Sequence, residues 1–219
     1  MTAEPTGFLY PFIESEERDA SGLVADLASS ARAKMAASRR LRATTLDANA
    51  EAAQRAGEAM AERFRFGGRL FTFGNGGSAT DAEGTVDLFR KPPHGRALAA
   101  MSLVDDRAVL TALANDVGFE LVFSRQIIAH ARPGDIAMGF STSGDSANLL
   151  KAFEEASKRQ LLTVGLCGYE GGEMASGDLV EHCLVVRSDS VHRIQEAQDA
   201  LALQLWTTVQ QCLTEGSHP

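Results

Sequence analysis

Two glycine- and hydroxyl-rich segments are where this sequence concentrates groups able to hold a ligand. Gly74-Asn75-Gly76-Gly77-Ser78 follows an apolar run and precedes a helical pattern. Glycines allow a tight turn and close approach of backbone to ligand. Ser78 suits the N-cap of the helix, whose free amides can bind an anion or sugar hydroxyls. No Gly-Lys-Ser/Thr follows, so the segment is not a P-loop, and the GxGxxG dinucleotide spacing is absent. A plain strand-to-helix turn explains this segment as well as a binding loop does. The second segment, Ser141-Thr142-Ser143-Gly144-Asp145-Ser146, again joins an apolar run to a helix. Hydroxyls donate to phosphate oxygens, and a helix start adds amides and a favourable dipole. An N-cap needs one hydroxyl and this loop supplies four, which favours a phosphate cradle at Ser141, Thr142, Ser143 and Ser146. Between the two, Asn115-Asp116-Val117-Gly118-Phe119 breaks a helical stretch. Its Asn-Asp pair suits sugar hydroxyls or an ordinary helix cap.

The remaining reactive residue types show no pattern of their own. His94, His130, His182, His192 and His218 are scattered, without HxxH or HxxxH spacing, and each alone reads as a surface or capping residue. Cys167, Cys183 and Cys212 form an odd set without a CxxC pair, as expected of reduced thiols in the cytoplasm. With 21 basic against 29 acidic residues the net charge is -8. Direct nucleic-acid binding through a broad basic surface is therefore not expected. A small anionic ligand is compatible with that charge when amides and hydroxyls hold it. No apolar run approaches the ~18 residues of a bilayer span, and the N-terminus lacks a basic region followed by an apolar one. The expectation is a cytoplasmic protein with no membrane partner.

Elements that position these loops are legible in the periodicity. Arg69–Phe73, Ala97–Val104, Asp135–Phe140, Leu161–Leu166 and His182–Val186 are short apolar runs, as strands buried on both faces require. Helical stretches fall between them: Ala79–Phe89, Arg107–Ala114, Glu120–Ala131, Ser146–Arg159 and a short turn at Gly172–Ala175, with a final helix over Arg193–Leu213. Strands alternating with helices predict a doubly wound, five-stranded parallel α/β sheet, in which ligands bind at the carboxyl ends of the strands. Upstream, Gly22–Arg42 and Leu46–Phe66 read as two helices, the second stopped by Gly67-Gly68. An arm with Phe8, Tyr10 and Phe12 precedes them. Residues 1–50 are expected to be an arm and helix that pack in an oligomer, and 51–215 the α/β domain.

The combination resembles a sugar isomerase (SIS) domain of the phosphoheptose isomerase branch. The resemblance rests on GNGGS at 74–78, NDVGFELVFSRQ at 115–126, GFSTSGDSANLLKAFEEA at 139–156, GYEGGEMA at 168–175 and RIQEA at 193–197, in the family's order. It implies a flavodoxin-like three-layer sandwich with an N-terminal helical extension, and a homotetramer with sites near subunit interfaces. It implies ligand contacts at Asn75, Gly76, Gly77, Asn115 and Asp116, and phosphate contacts at Ser141, Thr142, Ser143 and Ser146. Gln195 matches a glutamine that the family uses at the sugar and, in many members, at a zinc ion.

Four positions depart from the family. Its zinc-binding His and its catalytic Glu, on the helix after GNGGS, correspond without a gap to Gly84 and Leu88; its second catalytic His corresponds to Leu203. His192 stands where an acidic residue is common. Leucine neither moves a proton nor ligates a metal, and isomerisation through an enediol needs a base beside the carbonyl. If the one-residue difference in length before Asn115 lay in the helix, Glu83 and Asp87 would replace the pair; the loop Lys91-Pro92-Pro93-His94-Gly95 absorbs it more easily. The expectation is a sugar-phosphate-binding protein without zinc and without the standard catalysis, a sensor or scaffold with a protein partner. The alternative is an active aldose–ketose isomerase with relocated groups such as Asp87, Glu83 or His192. A third reading is a scaffold whose pocket is relict.

Overall fold

The computed structural model describes residues 20–215; the arm with Phe8, Tyr10 and Phe12 lies outside them. Five strands, β1 (Leu70–Gly74), β2 (Ala100–Ser102), β3 (Ile136–Ser141), β4 (Leu162–Gly168) and β5 (His182–Val186), form one sheet in the order β2-β1-β3-β4-β5. Every pairing is parallel. The helices are α1 (Ala20–Arg65), α2 (Gly77–Arg90), α3 (Arg107–Asp116), α4 (Val122–His130), α5 (Ala147–Lys158), α6 (Gly172–Ser176) and α7 (Val191–Glu215), with a 3-10 turn at Phe119–Leu121. The chain divides into two compact units, residues 1–39 and 40–219.

Within the second unit the strands alternate between two cores, because successive side chains point to opposite faces. Leu70, Ile136, Met138, Phe140, Val164, Leu166 and Leu184 meet Met60 and Phe64 of α1, Phe89 of α2, and Leu205 and Trp206 of α7. Phe71, Phe73 and Ala137 face the other way, onto Phe123 of α4 and Phe153 of α5. Parallel strands covered on both faces are buried throughout, so β1, β3 and β4 read as continuous apolar runs.

Two expectations are corrected. The helices expected at 22–42 and 46–66 are a single helix, α1. No Gly or Pro lies in Ala43-Thr44-Thr45, and Thr44 Oγ1 donates back to the Arg40 and Leu41 carbonyls at 3.1 and 3.0 Å, satisfying its hydroxyl within the helix. The strand expected over Ala97–Val104 shortens to Ala100–Ser102. It pairs only with Leu70–Thr72 at the sheet edge, while the Leu98 N–H donates to the Phe89 carbonyl instead of to a strand.

Candidate functional site

The carboxyl ends of β1 and β3 are neighbours in the sheet, so the two ligand-type loops emerge side by side. They are tied by a reciprocal amide pair. Asn75 Nδ2 donates to Asn148 Oδ1 and Asn148 Nδ2 to Asn75 Oδ1, both at 2.9 Å. Asn148 is buried in the first turn of α5 and was not singled out above, because a lone Asn inside a helical pattern carries no signal.

In the β1 loop, Gly76 rather than Ser78 occupies the N-cap of α2, at φ 56°. Ser78 is buried within the first turn, and its N–H donates to the Asn75 carbonyl. Positive φ excludes most side chains, which explains why glycine and not serine holds the cap. Gly77 is constrained by space: a Cβ there would lie 2.2 Å from Gln195 Nε2. The Gln195 amide of α7 therefore rests directly on the exposed backbone at the start of α2, and the structure brings these three predicted contacts together.

In the β3 loop the hydroxyls converge. Ser141 Oγ lies 3.1 Å from Ser146 Oγ and 3.4 Å from Ser143 Oγ, and accepts from the Gly144 N–H at 3.0 Å. Ser143 Oγ accepts from the Asp145 N–H. Ser146 is the N-cap of α5, yet its side chain makes no capping bond. Thr142 is half-buried in the same loop. Asp145 turns away to accept from the Glu173 N–H at 2.8 Å, fastening the β4–α6 segment under the loop. Gly144, at φ 78°, packs so closely that a Cβ would lie 2.0 Å from the Gly171 carbonyl oxygen. A curved chain of hydroxyls and amides ahead of a helix start is the arrangement that holds a phosphate without a cation.

Asn115 and Asp116 end α3 and are exposed; Asn115 Nδ2 donates to Asp116 Oδ1 at 2.8 Å. No hydrogen bond among the described residues ties this pair to either loop. Glu83 and Asp87 are exposed on α2, and His192 is exposed at the start of α7. Gly84 faces open space, Leu88 packs on the core, and Leu203 is half-exposed on α7. Among the described residues no three His, Cys, Asp or Glu side chains converge.

A different acid stands out on α2. Asp81, one turn beyond Gly77, has its Oδ2 shielded from solvent and without a hydrogen-bond partner. Burial, reinforced by the Asp199 carboxylate, raises its pKa to about 7. Asp199 on α7 is itself raised, by burial that outweighs the attraction of Arg42. Gln198 is fully buried; its Nε2 lies 3.4 Å from the Ser141 carbonyl oxygen, and its Oε1 has no partner.

The fold and these loops define a doubly wound α/β protein with its ligand-type residues at the carboxyl edge of the sheet. The chain belongs to the SIS domain family, matched over residues 35–168, in its phosphoheptose isomerase-like branch. It is 43% identical over 162 residues to the phosphoheptose isomerase of Roseiflexus sp. (strain RS-1), covering 72% of this chain and 80% of the relative. It is 44% identical over 144 residues to that of Campylobacter jejuni (strain 81116), covering 65% and 76%. The structure of the phosphoheptose isomerase from Neisseria gonorrhoeae superposes with a TM-score of 0.78 at 33% identity, covering 84% of this chain and 99% of the other. That from Francisella tularensis gives 0.78 at 28% identity, covering 84% and 98%.

Proposed function

We propose that this protein binds a sugar phosphate, with the phosphate on Ser141, Thr142, Ser143 and Ser146 and the sugar toward Asn75, Gly76, Gly77, Ser78 and Gln195. One observation carries the reading: three serine hydroxyls converge within 3.4 Å at the start of α5, and the capping serine does not cap. The names of the relatives support the ligand class, since they are phosphoheptose isomerases. Asn115 and Asp116 complete the site from a neighbouring subunit of a homotetramer. The setting is cytoplasmic. Gly84, Leu88 and Leu203 remove the proton-transferring and zinc-binding side chains that the family resemblance implies at those positions. The chain therefore works without zinc and without that pair, as a sensor or scaffold that presents a sugar-phosphate-dependent surface to a protein partner. A second reading, isomerisation through relocated groups, draws support from one observation, the Asp81 carboxyl held near neutrality.

Calorimetric titration with sedoheptulose 7-phosphate and a panel of other sugar phosphates tests the binding reading. Binding that weakens tenfold or more in Ser143→Ala, about 1.4 kcal/mol, is expected. A wild-type protein that binds none of them overturns it.

A further inference from the structure

Cys167 on β4 and Cys183 on β5 bring their sulfurs within 3.3 Å of each other. The register sets Gly165 opposite Cys183 and Cys167 opposite Val185, so the two thiols are diagonal neighbours on one face of the sheet. Both belong to the core that also holds Phe123, Phe153 and Met174, whereas the third thiol, Cys212, packs on the opposite core. Their access differs: Cys167 is fully buried and Cys183 half-buried. Hydrogen bonding to Cys167 draws the Cys183 thiol below the usual thiol range against the effect of burial, and the same bond together with burial pushes Cys167 up. The outer sulfur is thus the better thiolate and the inner one keeps its proton, the division that a reactive cysteine and its resolving partner need.

The pair adjoins the hydroxyl loop. Cys167 is the cross-strand partner of Ser141. A Cβ on Gly171 would lie 3.6 Å from Cys167 Sγ and 3.3 Å from Val185 Cγ2, so the turn after β4 rests on this face of β4 and β5. The other side of that turn rests on the loop: the Gly171 carbonyl packs against Gly144, and the Met174 N–H donates to the Gly144 carbonyl at 3.1 Å. Thiols, turn and loop 141–146 form one packed column.

We infer that Cys167 and Cys183 are a thiol pair that closes reversibly to a disulfide, and that closure displaces the Gly171 turn and with it the hydroxyl loop, weakening ligand binding. The effect on binding rests on the sugar-phosphate reading above; the bond and the loop movement do not. A disulfide sets its sulfurs at about 2.05 Å, so these two must approach by more than an ångström. Diagonal backbone positions stand further apart than opposed ones, so the approach draws on the backbone. The strand that gives is β5, at the sheet edge and held on its outer side by Asn49 at Val185. Gly171 packs on both Val185 and Cys167 and carries the shift to the loop.

The oxidant is a hydroperoxide. The Cys183 thiolate attacks one peroxide oxygen, the O–O bond breaks, and the other oxygen leaves as hydroxide; Cys183 becomes a sulfenic acid. The Cys167 sulfur then attacks the Cys183 sulfur, the S–O bond breaks, and the departing hydroxide takes the Cys167 proton as water. Two thiols lose two electrons and one peroxide gains them. A dithiol reverses the bond by exchange, as suits a reducing compartment where disulfides are transient.

The test treats the full chain with hydrogen peroxide and then with dithiothreitol. Peptide mapping without reductant is expected to show Cys167 linked to Cys183, and dithiothreitol to undo the link. Amide hydrogen exchange over residues 141–146 should change at least threefold in rate on oxidation. Calorimetric affinity for whichever sugar phosphate of the panel binds should fall at least fivefold and recover on reduction. Cys183→Ser should abolish all three changes, and Cys212→Ser none; if Cys183→Ser fails to fold, Cys183→Ala takes its place. Absence of the linked peptide, a bond that leaves loop exchange unchanged, or unaltered affinity in a protein that binds overturns the inference. A reduced protein that binds no sugar phosphate overturns the sugar-phosphate reading instead, and the linked peptide and the loop exchange then decide the thiol switch.

Discussion

Ser146 occupies a cap position, yet its hydroxyl makes no capping bond and lies 3.1 Å from Ser141 Oγ instead, the arrangement on which the proposed phosphate site rests. The residues around it behave as a set, so single substitutions separate support from contact. Asn75 and Asn148 satisfy each other, and removing one amide leaves the other unpaired in a half-buried place. Asn148→Leu is expected to cost about 1–3 kcal/mol in chemical denaturation and to weaken ligand binding through the displaced Asn75. Gly77→Ala has the opposite profile. Its Cβ meets the end of a flexible side chain, Gln195 Nε2 at 2.2 Å, so the melting temperature should change little while affinity falls severalfold. Asp81 adds a pH signature. A carboxyl whose pKa is raised on folding, here to about 7, binds protons more tightly in the native state. Its stabilising contribution is present below about pH 4 and is lost as pH rises through 7. The melting temperature of Asp81→Asn relative to wild type should therefore rise between pH 5 and pH 8; a constant difference across that range contradicts the assignment.

At the scale of elements, two polar ties hold the sheet that carries the loops. Asn49 of α1 donates to the Val185 carbonyl and accepts from the Val185 N–H, both at 3.0 Å, closing part of the open edge of β5. Asp135, fully buried ahead of β3, accepts from the backbone N–H of Arg69 and of Arg132 and pairs with the Arg69 guanidinium at 2.7 Å. Asp135→Ala leaves three donors facing a cavity. It should destabilise the protein by about 3–5 kcal/mol, measured by denaturant unfolding, with the wild-type fold retained in far-UV circular dichroism. The core strands and most helix positions were legible in advance because apolar runs bounded by Gly and polar residues have few other uses in a buried sheet. The continuity of α1 was not. The sequence reads as two separate stretches, and the structure joins them in one helix through Ala43-Thr44-Thr45, where Thr44 bonds back to Arg40 and Leu41. Ser78 failed as a cap for a comparable reason: the Gly76 turn starts the helix two residues earlier.

For the whole molecule, α1 carries Leu23, Leu27 and Met35 exposed on its first half, and no residue from 22 to 39 is buried. Exposed apolar patches mark interaction surfaces, in keeping with the proposed homotetramer. The full chain is expected to elute as a tetramer in light-scattering chromatography, and a chain starting at Arg40 as a folded monomer. A monomeric full chain contradicts the proposed completion of the site by a neighbouring subunit. What the sequence by itself determined is the sheet, its order of loops and the position of the hydroxyl-rich loop, because alternation, glycine punctuation and clustered serines are local patterns. What only the tertiary structure decided is which polar residues share a space. Gln195 on Gly77, Asn75 with Asn148, and the Asp199 charge acting on Asp81 join residues up to 118 positions apart. Burial of one acid beside another depends on how α2 and α7 cross, which no local pattern records.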